Sequence, residues 1–201
     1  MTTWPWMPGW STPTARDLEV AEAQLGRPLG GLVVAIARRC RFGQPQALVT
    51  SALLETADPA AAPVVTPFPT LFWLTCPRVR EAVGTLENAG MIRQMRERLR
   101  VDEDFRREYA EANSAYARRR LAVLEKADPA WRDKVSVEMA KVITSAGVGG
   151  LVDPEGVKCI HMHVAHWLAT ANNPVGREAV AAMGGEGGPA TECADGRCLL
   201  R

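Results

Sequence analysis

Apolar and polar positions follow two different spacings along this chain. The runs 31–37 and 47–50 are rich in β-branched residues and bounded by turn residues, which predicts a β-hairpin with Cys40 near its tip. Residues 71–74 follow two prolines that favour extended backbone, and they predict a third strand. From 91 to 126, apolar residues recur at helical spacing among many charges. The pattern predicts an α+β fold: a mostly helical single domain with a small β-sheet of about three short strands.

Residues that favour helix starts recur along the chain. The predicted helices begin at Asp17, Pro77, Asp128, Asp153 and Asn173. Aspartate and asparagine cap a first turn, and proline suits it because no hydrogen-bond donor is needed there. Cys76 then stands at the N-cap of the second helix, where the helix dipole favours a thiolate. The helix from Asp153 runs to about residue 171 and carries Cys159 and all three histidines.

The ends of the chain differ in composition from its middle. Residues 1–16 are rich in tryptophan and proline, which predicts an irregular N-terminal extension. Residues 184–201 are rich in glycine, which predicts a flexible tail. The single α+β domain is therefore predicted to span residues 17–183.

The composition is that of a globular protein without a strong electrostatic preference. Apolar residues make up 47% and charged residues 23% of the chain, and the net charge is +1. This balance argues against disorder and gives no bulk attraction to nucleic acid or membrane. No apolar run reaches the ~20 residues that cross a bilayer, and the first residues lack a secretory-signal pattern. With five unevenly spaced cysteines, the chain is expected to be cytoplasmic.

The segment 93–126 is rich in arginine, but acidic residues are interleaved with it. This alternation favours a solvated, ion-paired surface over a nucleic-acid surface. A protein partner that contacts these arginine-rich helices is one interpretation. It belongs to an alternative function, a metal-free protein- or RNA-interaction module in which the cysteines are buried structural residues.

Candidate chemistry is concentrated in residues 157–166, which hold all three histidines and one cysteine. In a continuous helix, Cys159, His163 and His166 fall within ~60° of one another. His161 would lie ~200° from Cys159, and it joins Cys159 only if the helix begins later than Asp153. A nucleophile–base pair of Cys159 with a histidine is an alternative to a metal site, although no third orienting group can be named.

Three cysteines lie at the edges of predicted elements. Cys40 follows a strand, Cys76 joins a strand to a helix, and Cys159 comes early in a helix. Such positions allow three thiolates to converge, and thiolate with imidazole is the ligand set of zinc and of some iron–sulfur clusters. The tail residues Cys193 and Cys198 are further metal candidates. The glycine turn 147–150 is a weaker candidate for binding an anion.

Several stretches together resemble the bacterial family catalogued as domain of unknown function 501. They are residues 24–28, Arg39-Cys40 with Gly43 and Pro45, TPFPTLFWLTCP at 66–77, Leu86-Glu87 with Gly90, VKCIH at 157–161, 165–166 and NPVG at 173–176. The family pattern matches Cys40, Cys76, Cys159, His161 and His166, whereas His163 is a local addition. The family also has a basic residue near position 30 and a fuller loop before Thr66, which this chain lacks. The resemblance implies a set of positions and no established activity.

The sequence thus predicts a cytosolic protein with one Cys/His metal site. Its predicted ligands are Cys40, Cys76, Cys159, His161 and His166, with His161 or His166 as the fourth ligand. Zinc is slightly favoured over an iron–sulfur cluster. Whether the protein is an enzyme, and on what substrate, stays open at this point.

Overall fold

Seven α-helices, five β-strands and two short 3-10 helices, Trp131–Lys134 and Val148–Gly150, make up the regular structure of the described residues in a computed structural model. It describes residues 7, 9–56, 64–68, 70–153, 155–196 and 198. The helices are α1 (Ala15–Leu25), α2 (Pro77–Asn88), α3 (Met91–Val101), α4 (Glu103–Ala127), α5 (Val137–Ser145), α6 (Ile160–Thr170) and α7 (Pro174–Ala182). The strands are β1 (Val33–Arg39), β2 (Pro45–Thr50), β3 (Leu53–Thr56), β4 (Val64–Pro67) and β5 (Phe72–Leu74). The predicted α+β class is confirmed.

A three-stranded antiparallel sheet forms the centre of the fold, in the order β1-β2-β5. All six residues of β2 are buried, because this central strand is covered on both faces. Ile36 and Leu48 pack with α1 on one face, whereas Ala35 and Val49 belong to the main core with α6 on the other. Side chains alternate across a strand, so one hairpin supplies both layers.

A second antiparallel pair, β3 with β4, lies where the sequence predicts only a loop. Leu53 pairs with Pro67, and the amide of Phe68 donates to the carbonyl of Ala52. Alanine and proline are concentrated in residues 58–63 between the two strands and favour a loop, whereas Val64, Val65 and Thr66 of β4 have high strand propensity. Ala52 and Leu53 pack with Leu124, Trp131 and Ile143 in a small separate core.

Three predicted helix boundaries differ from the structure by more than a helical turn. A fourth differs by less, because α1 starts at Ala15 with Thr14, and not Asp17, as its N-cap. The segment 91–126 is interrupted at Asp102, whose side chain accepts the Phe105 amide and caps α4. Asp128 does not open a helix; α5 starts instead after Ser136, which caps the Met139 amide. The third difference is that α6 begins at Ile160 and not at Asp153. No helix within the described ranges is long and apolar enough to span a bilayer.

Both terminal segments contact the domain. The indole of Trp10 is buried and donates a hydrogen bond of 3.1 Å to the carbonyl of Ala169 in α6. At the other end, the Gln46 amide donates to the carbonyl of Thr191 over 2.7 Å, and Thr191 is buried. The domain boundaries at 16/17 and 183/184 stay predictions, but side chains beyond both of them pack against the sheet or its helices.

Asp17 joins α1 to the hairpin, and its removal gives a testable loss of stability. Arg39 donates to both carboxylate oxygens of Asp17, over 2.5 and 2.9 Å, while Asp17 and Thr14 form a capping box. The Arg39 guanidinium holds the pKa of Asp17 at about 2, below its usual 3.8. The carboxylate therefore stabilises the fold fully above about pH 4, and this contribution is lost as the pH falls towards 2.

We expect Asp17→Asn to lower the free energy of unfolding by about 1–2 kcal/mol at pH 6, after allowance for the partly exposed Arg39 side chain. Urea unfolding of both proteins at pH 6 and pH 3 checks this. The difference should shrink at pH 3, and an equal difference at the two pH values would contradict the charged role of Asp17.

Candidate metal centre

The late start of α6 sets the position of Cys159. This residue is the N-cap of α6 and has extended backbone, with φ −156° and ψ 127°. Because Cys159 is not part of the helix, the angle of ~200° between Cys159 and His161 in a continuous helix does not apply. The condition under which the sequence allows Cys159 and His161 to meet is fulfilled.

Cys159 and His161 meet a carboxylate from α2. The sulfur of Cys159 lies 3.7 Å from Nδ1 of His161, and the same nitrogen lies 3.3 Å from Oε1 of Glu87. The three ligand atoms all lie within 4.8 Å of one another, and all three side chains are half-buried. Among the residues that the structure describes, this is the one such group of three metal-ligating side chains.

A backbone carbonyl orients the His161 ring. Its Nε2 lies 3.2 Å from the carbonyl oxygen of Arg80. Because a carbonyl only accepts, Nε2 carries the hydrogen and donates it, so the lone pair of a neutral ring is on Nδ1. Nδ1 is also the atom that faces Glu87 and Cys159. Metal-bound histidines are held in this way, with the second ring nitrogen donating to a carbonyl or carboxylate.

Glu87 is bound at the N-terminus of α6. Its Oε1 accepts the Ile160 amide over 2.6 Å, one of the amides that a helix start leaves without an intrahelical partner. Burial alone would raise the pKa of Glu87, but the Ile160 amide and the charge of His161 outweigh it and lower the pKa. Burial raises the pKa of the Cys159 thiol, and the nearby Glu87 carboxylate adds to the effect. The resting site thus holds a carboxylate beside a thiol.

Sequence reasoning did not select Glu87 as a site residue. It lies on a separate element, 72 positions before Cys159 in the chain, in a helix with many other charged residues. The available signal is its place in the Leu86-Glu87 stretch that carries part of the family resemblance. No local spacing links it to the Cys159–His161 segment.

His166, a predicted ligand, lies in the core together with His163. Both side chains are fully buried, and Nδ1 of each accepts from the Asn173 amide nitrogen, over 3.0 and 3.1 Å. The orientation of Asn173 is fixed because its Oδ1 accepts the Gly176 amide over 2.8 Å. Burial lowers the pKa of His163 to about 4 and that of His166 well below its usual value. Both rings are therefore neutral at pH 7, and the structure brings neither of them into the group around Cys159.

Cys40 and Cys76 do not join Cys159 either. Cys40 lies at the hairpin turn, where its amide donates to the carbonyl of Gln44, and Cys76 is the N-cap of α2 as predicted. Glu87 lies eleven positions after Cys76 along α2, about 16 Å at about 1.5 Å per residue. The structure brings together Cys159 and His161, whereas the ligand roles of Cys40, Cys76 and His166 stay predictions.

The arginine-rich helices carry many ion pairs. Arg98 pairs with Asp102 and Glu178, each over 3.2 Å, and Arg100 pairs with Glu97 over the same distance. These pairs fit the interleaved charges of the sequence and reduce the positive charge that a nucleic acid would meet. The protein partner at 93–126 stays a prediction.

The chain was compared with protein families, curated proteins and solved structures. The family model described as "Protein of unknown function (DUF501)" matches residues 36–181, more than half of the chain. The match includes Glu87, Cys159 and His161, and it ends before Cys193 and Cys198. No curated protein and no solved structure matches. The chain therefore belongs to the DUF501 family, as the proline-rich strand and the VKCIH segment indicate.

Proposed function

We propose that Glu87, Cys159 and His161 bind one zinc ion, and that this protein functions as a metal-binding protein. The observation that carries the proposal is the spacing of the three ligand atoms. Zinc bonds of about 2.0–2.3 Å in a tetrahedron put sulfur and nitrogen about 3.6 Å apart, and nitrogen and oxygen about 3.4 Å apart. The corresponding separations in the protein are 3.7 and 3.3 Å.

The donor set supports zinc over an iron–sulfur cluster at this site. Iron–sulfur clusters are held mainly by several cysteine thiolates, whereas this group offers one thiolate, one imidazole and one carboxylate. Sulfur, nitrogen and oxygen ligands together suit zinc.

Three protein ligands leave the fourth position of a tetrahedral ion open. The side chains of His161 and Glu87 are 30% and 23% exposed, so water can reach the site. Structural zinc sites have four protein ligands, and sites with three keep a water or substrate in the fourth position. Bound there, zinc would lower the pKa of that water and polarise a ligand that replaces it. The reaction class that follows is metal-assisted hydrolysis or hydration.

Metal binding at this site should depend on pH. The raised pKa of Cys159 means that the thiol must lose its proton when zinc binds. Affinity is therefore expected to increase with pH until the thiol is ionised, and zinc addition to the unbuffered apoprotein should release protons.

Cobalt titration of the chelator-treated protein tests the site. Cobalt(II) occupies zinc sites, and one thiolate ligand gives a sulfur-to-cobalt absorption band whose strength reports one Co–S bond. We expect Cys159→Ser to remove that band and His161→Ala to weaken binding at least about 100-fold, because each loses a direct ligand. Zinc competition then gives the dissociation constants.

Matched variants separate a ligand role from a general effect of mutation. Glu87→Gln should weaken binding strongly, whereas Glu81→Gln, on the exposed side of the same helix, should bind like the wild type. Thermal unfolding of the metal-free variants checks that each is folded. Unchanged zinc affinity in a folded Cys159→Ser/His161→Ala double variant would refute the site.

A further inference from the structure

The four remaining cysteines lie at one end of the molecule. Cys76, Cys193 and Cys198 line a single pocket of about 590 Å³ between the start of α2 and the C-terminal segment. Cys40 lines an adjoining pocket that shares Arg41, Gly187 and Glu192 with the first. All four are free thiols.

Hydrogen bonds hold the C-terminal segment against this end of the domain. The Arg41 amide, next to Cys40, donates to Oε2 of Glu192, next to Cys193, over 3.0 Å. Arg78 Nε, two residues after Cys76, donates to the carbonyl of Pro189 over 2.9 Å. These contacts bring the neighbours of Cys40, Cys76 and Cys193 together from three separate parts of the chain. The cysteines are thus near one another because of tertiary structure, and their sequence spacing does not reveal it.

Electrostatics agree with this proximity. Burial raises the pKa of Cys76, and this outweighs the lowering by the Val79 and Arg78 amides, so the thiolate expected at the start of α2 is not favoured. The charges of Cys40 and Cys198 raise the pKa further. Burial likewise raises the pKa of Cys40. Two backbone amides lower this pKa, whereas the charges of Glu192 and Cys198 raise it further. Several neighbouring thiols do not all ionise unless a cation lies between or beside them, because their negative charges repel one another. Arg41 and Arg78 line the pocket and supply positive charge around such a group.

The spacing of the sulfurs distinguishes two kinds of metal centre. Four sulfurs around one zinc ion stand about 3.8 Å apart, given Zn–S bonds of about 2.3 Å. No three of these four sulfurs lie within 4.8 Å of one another, whereas the ligand atoms at Cys159 do. A [4Fe–4S] cluster binds each of its four cysteines through a different iron, so its thiolates stand farther apart and it needs a larger space.

We propose that Cys40, Cys76, Cys193 and Cys198 hold a [4Fe–4S] cluster in the space formed by these two adjoining pockets. The cluster is separate from the zinc site at Cys159, and the two proposals stand or fall independently. The cluster assembles from two iron(II), two iron(III) and four sulfide ions, so no external oxidant is needed. Each thiol loses its proton and its sulfur binds one iron, which releases four protons. The bound cluster also fixes the C-terminal segment to α2 and the hairpin, because two of its ligands come from each side.

Anaerobic reconstitution of the full chain with equal amounts of ferrous and ferric iron, and with sulfide, tests the cluster. The expected result is a brown protein with about four iron and four sulfide per chain, as in a [4Fe–4S] cluster with four cysteine ligands. Cys198→Ser and Cys193→Ser should lose most of the iron, sulfide and visible absorption. They lie in the half-buried C-terminal segment, so their folding should be unaffected. Cys76→Ser, which changes a residue in the core of the domain, should also lose most of the iron, sulfide and visible absorption.

Cys159→Ser is the matched control, because it changes the one cysteine outside this group. It should take up iron and sulfide like the wild type while losing the single-thiolate cobalt band. Full iron and sulfide retention in folded Cys198→Ser or Cys76→Ser would overturn the proposal. So would a wild-type protein that forms no cluster, or one that takes up a colourless zinc ion at these four cysteines in place of iron and sulfide.

Discussion

Replacing Arg120 by methionine is expected to lower the free energy of unfolding by about 3–5 kcal/mol. The Arg120 side chain is fully buried, and its guanidinium donates to the carbonyls of Ile143, Val142 and Ala146 over 2.7, 3.2 and 2.6 Å. These carbonyls lie at the C-terminal end of α5, where helical oxygens begin to lack intrahelical partners. The Val142 oxygen also accepts the Ala146 amide, whereas the Arg120 bonds to Ile143 and Ala146 are buried. Methionine fills similar space but removes the guanidinium donors from the Ile143 and Ala146 oxygens.

A neighbouring arginine provides the control. Arg118 lies on the exposed face of the same helix, so Arg118→Met should change stability by less than about 0.5 kcal/mol. Arg120→Lys keeps the charge but offers a single donor group, and an intermediate loss is expected. Urea unfolding followed by circular dichroism gives the three values. An Arg120→Met protein within 1 kcal/mol of the wild type, on the order of one ordinary hydrogen bond, would contradict this role.

Arg120 also shows a limit of sequence reasoning. Three consecutive arginines at 118–120 suggest a basic surface, but they are exposed, half-buried and buried in turn. Successive residues on a helix point about 100° apart, so one of three neighbours faces inward whatever its charge. Without the position of α5, nothing local identifies which arginine has carbonyls to bind.

The elements that the sequence predicts well have strong local signals. The β1–β2 hairpin is confirmed, and β-branched runs flank its Gly-containing turn. Cys76 is the N-cap of α2, because Pro77 suits the first helical turn. The start of α6, in contrast, depends on a distant partner. Ile160 becomes the first helical residue where Glu87 of another helix accepts its amide.

In the candidate site, too, some features have local sequence signals and others depend on long-range contacts. The VKCIH segment marks Cys159 and His161 by composition alone, but their meeting depends on where α6 begins. Helical periodicity instead favours the Cys159 face with His163 and His166, which the structure directs to Asn173 in the core. Long-range packing places Glu87, the third proposed ligand, beside Cys159 and groups Cys40 with the C-terminal cysteines. The spacing of residues along one sequence does not show such contacts.

The NPVG segment illustrates how one short motif can fix two helices. Asn173 caps α7 by accepting the Gly176 amide, and Pro174 occupies the first turn. A Cβ atom on Gly176 would lie 2.2 Å from the His163 carbonyl oxygen and 2.7 Å from Trp167 Cβ. The backbone of α7 therefore approaches α6 at a distance that only glycine permits.

We expect Gly176→Ala to lower the free energy of unfolding by about 3 kcal/mol, because the added methyl group meets backbone that cannot move without separating α6 from α7. Gly84→Ala is the matched control. Gly84 also lies inside a helix, yet a Cβ there meets nothing within 4 Å, so alanine should raise stability by about 0.5–1 kcal/mol through helix propensity. Changes of opposite sign in urea unfolding identify the close approach as the cause. Equal effects of the two substitutions would show that helix propensity alone governs both positions and that α7 tolerates a side chain against α6.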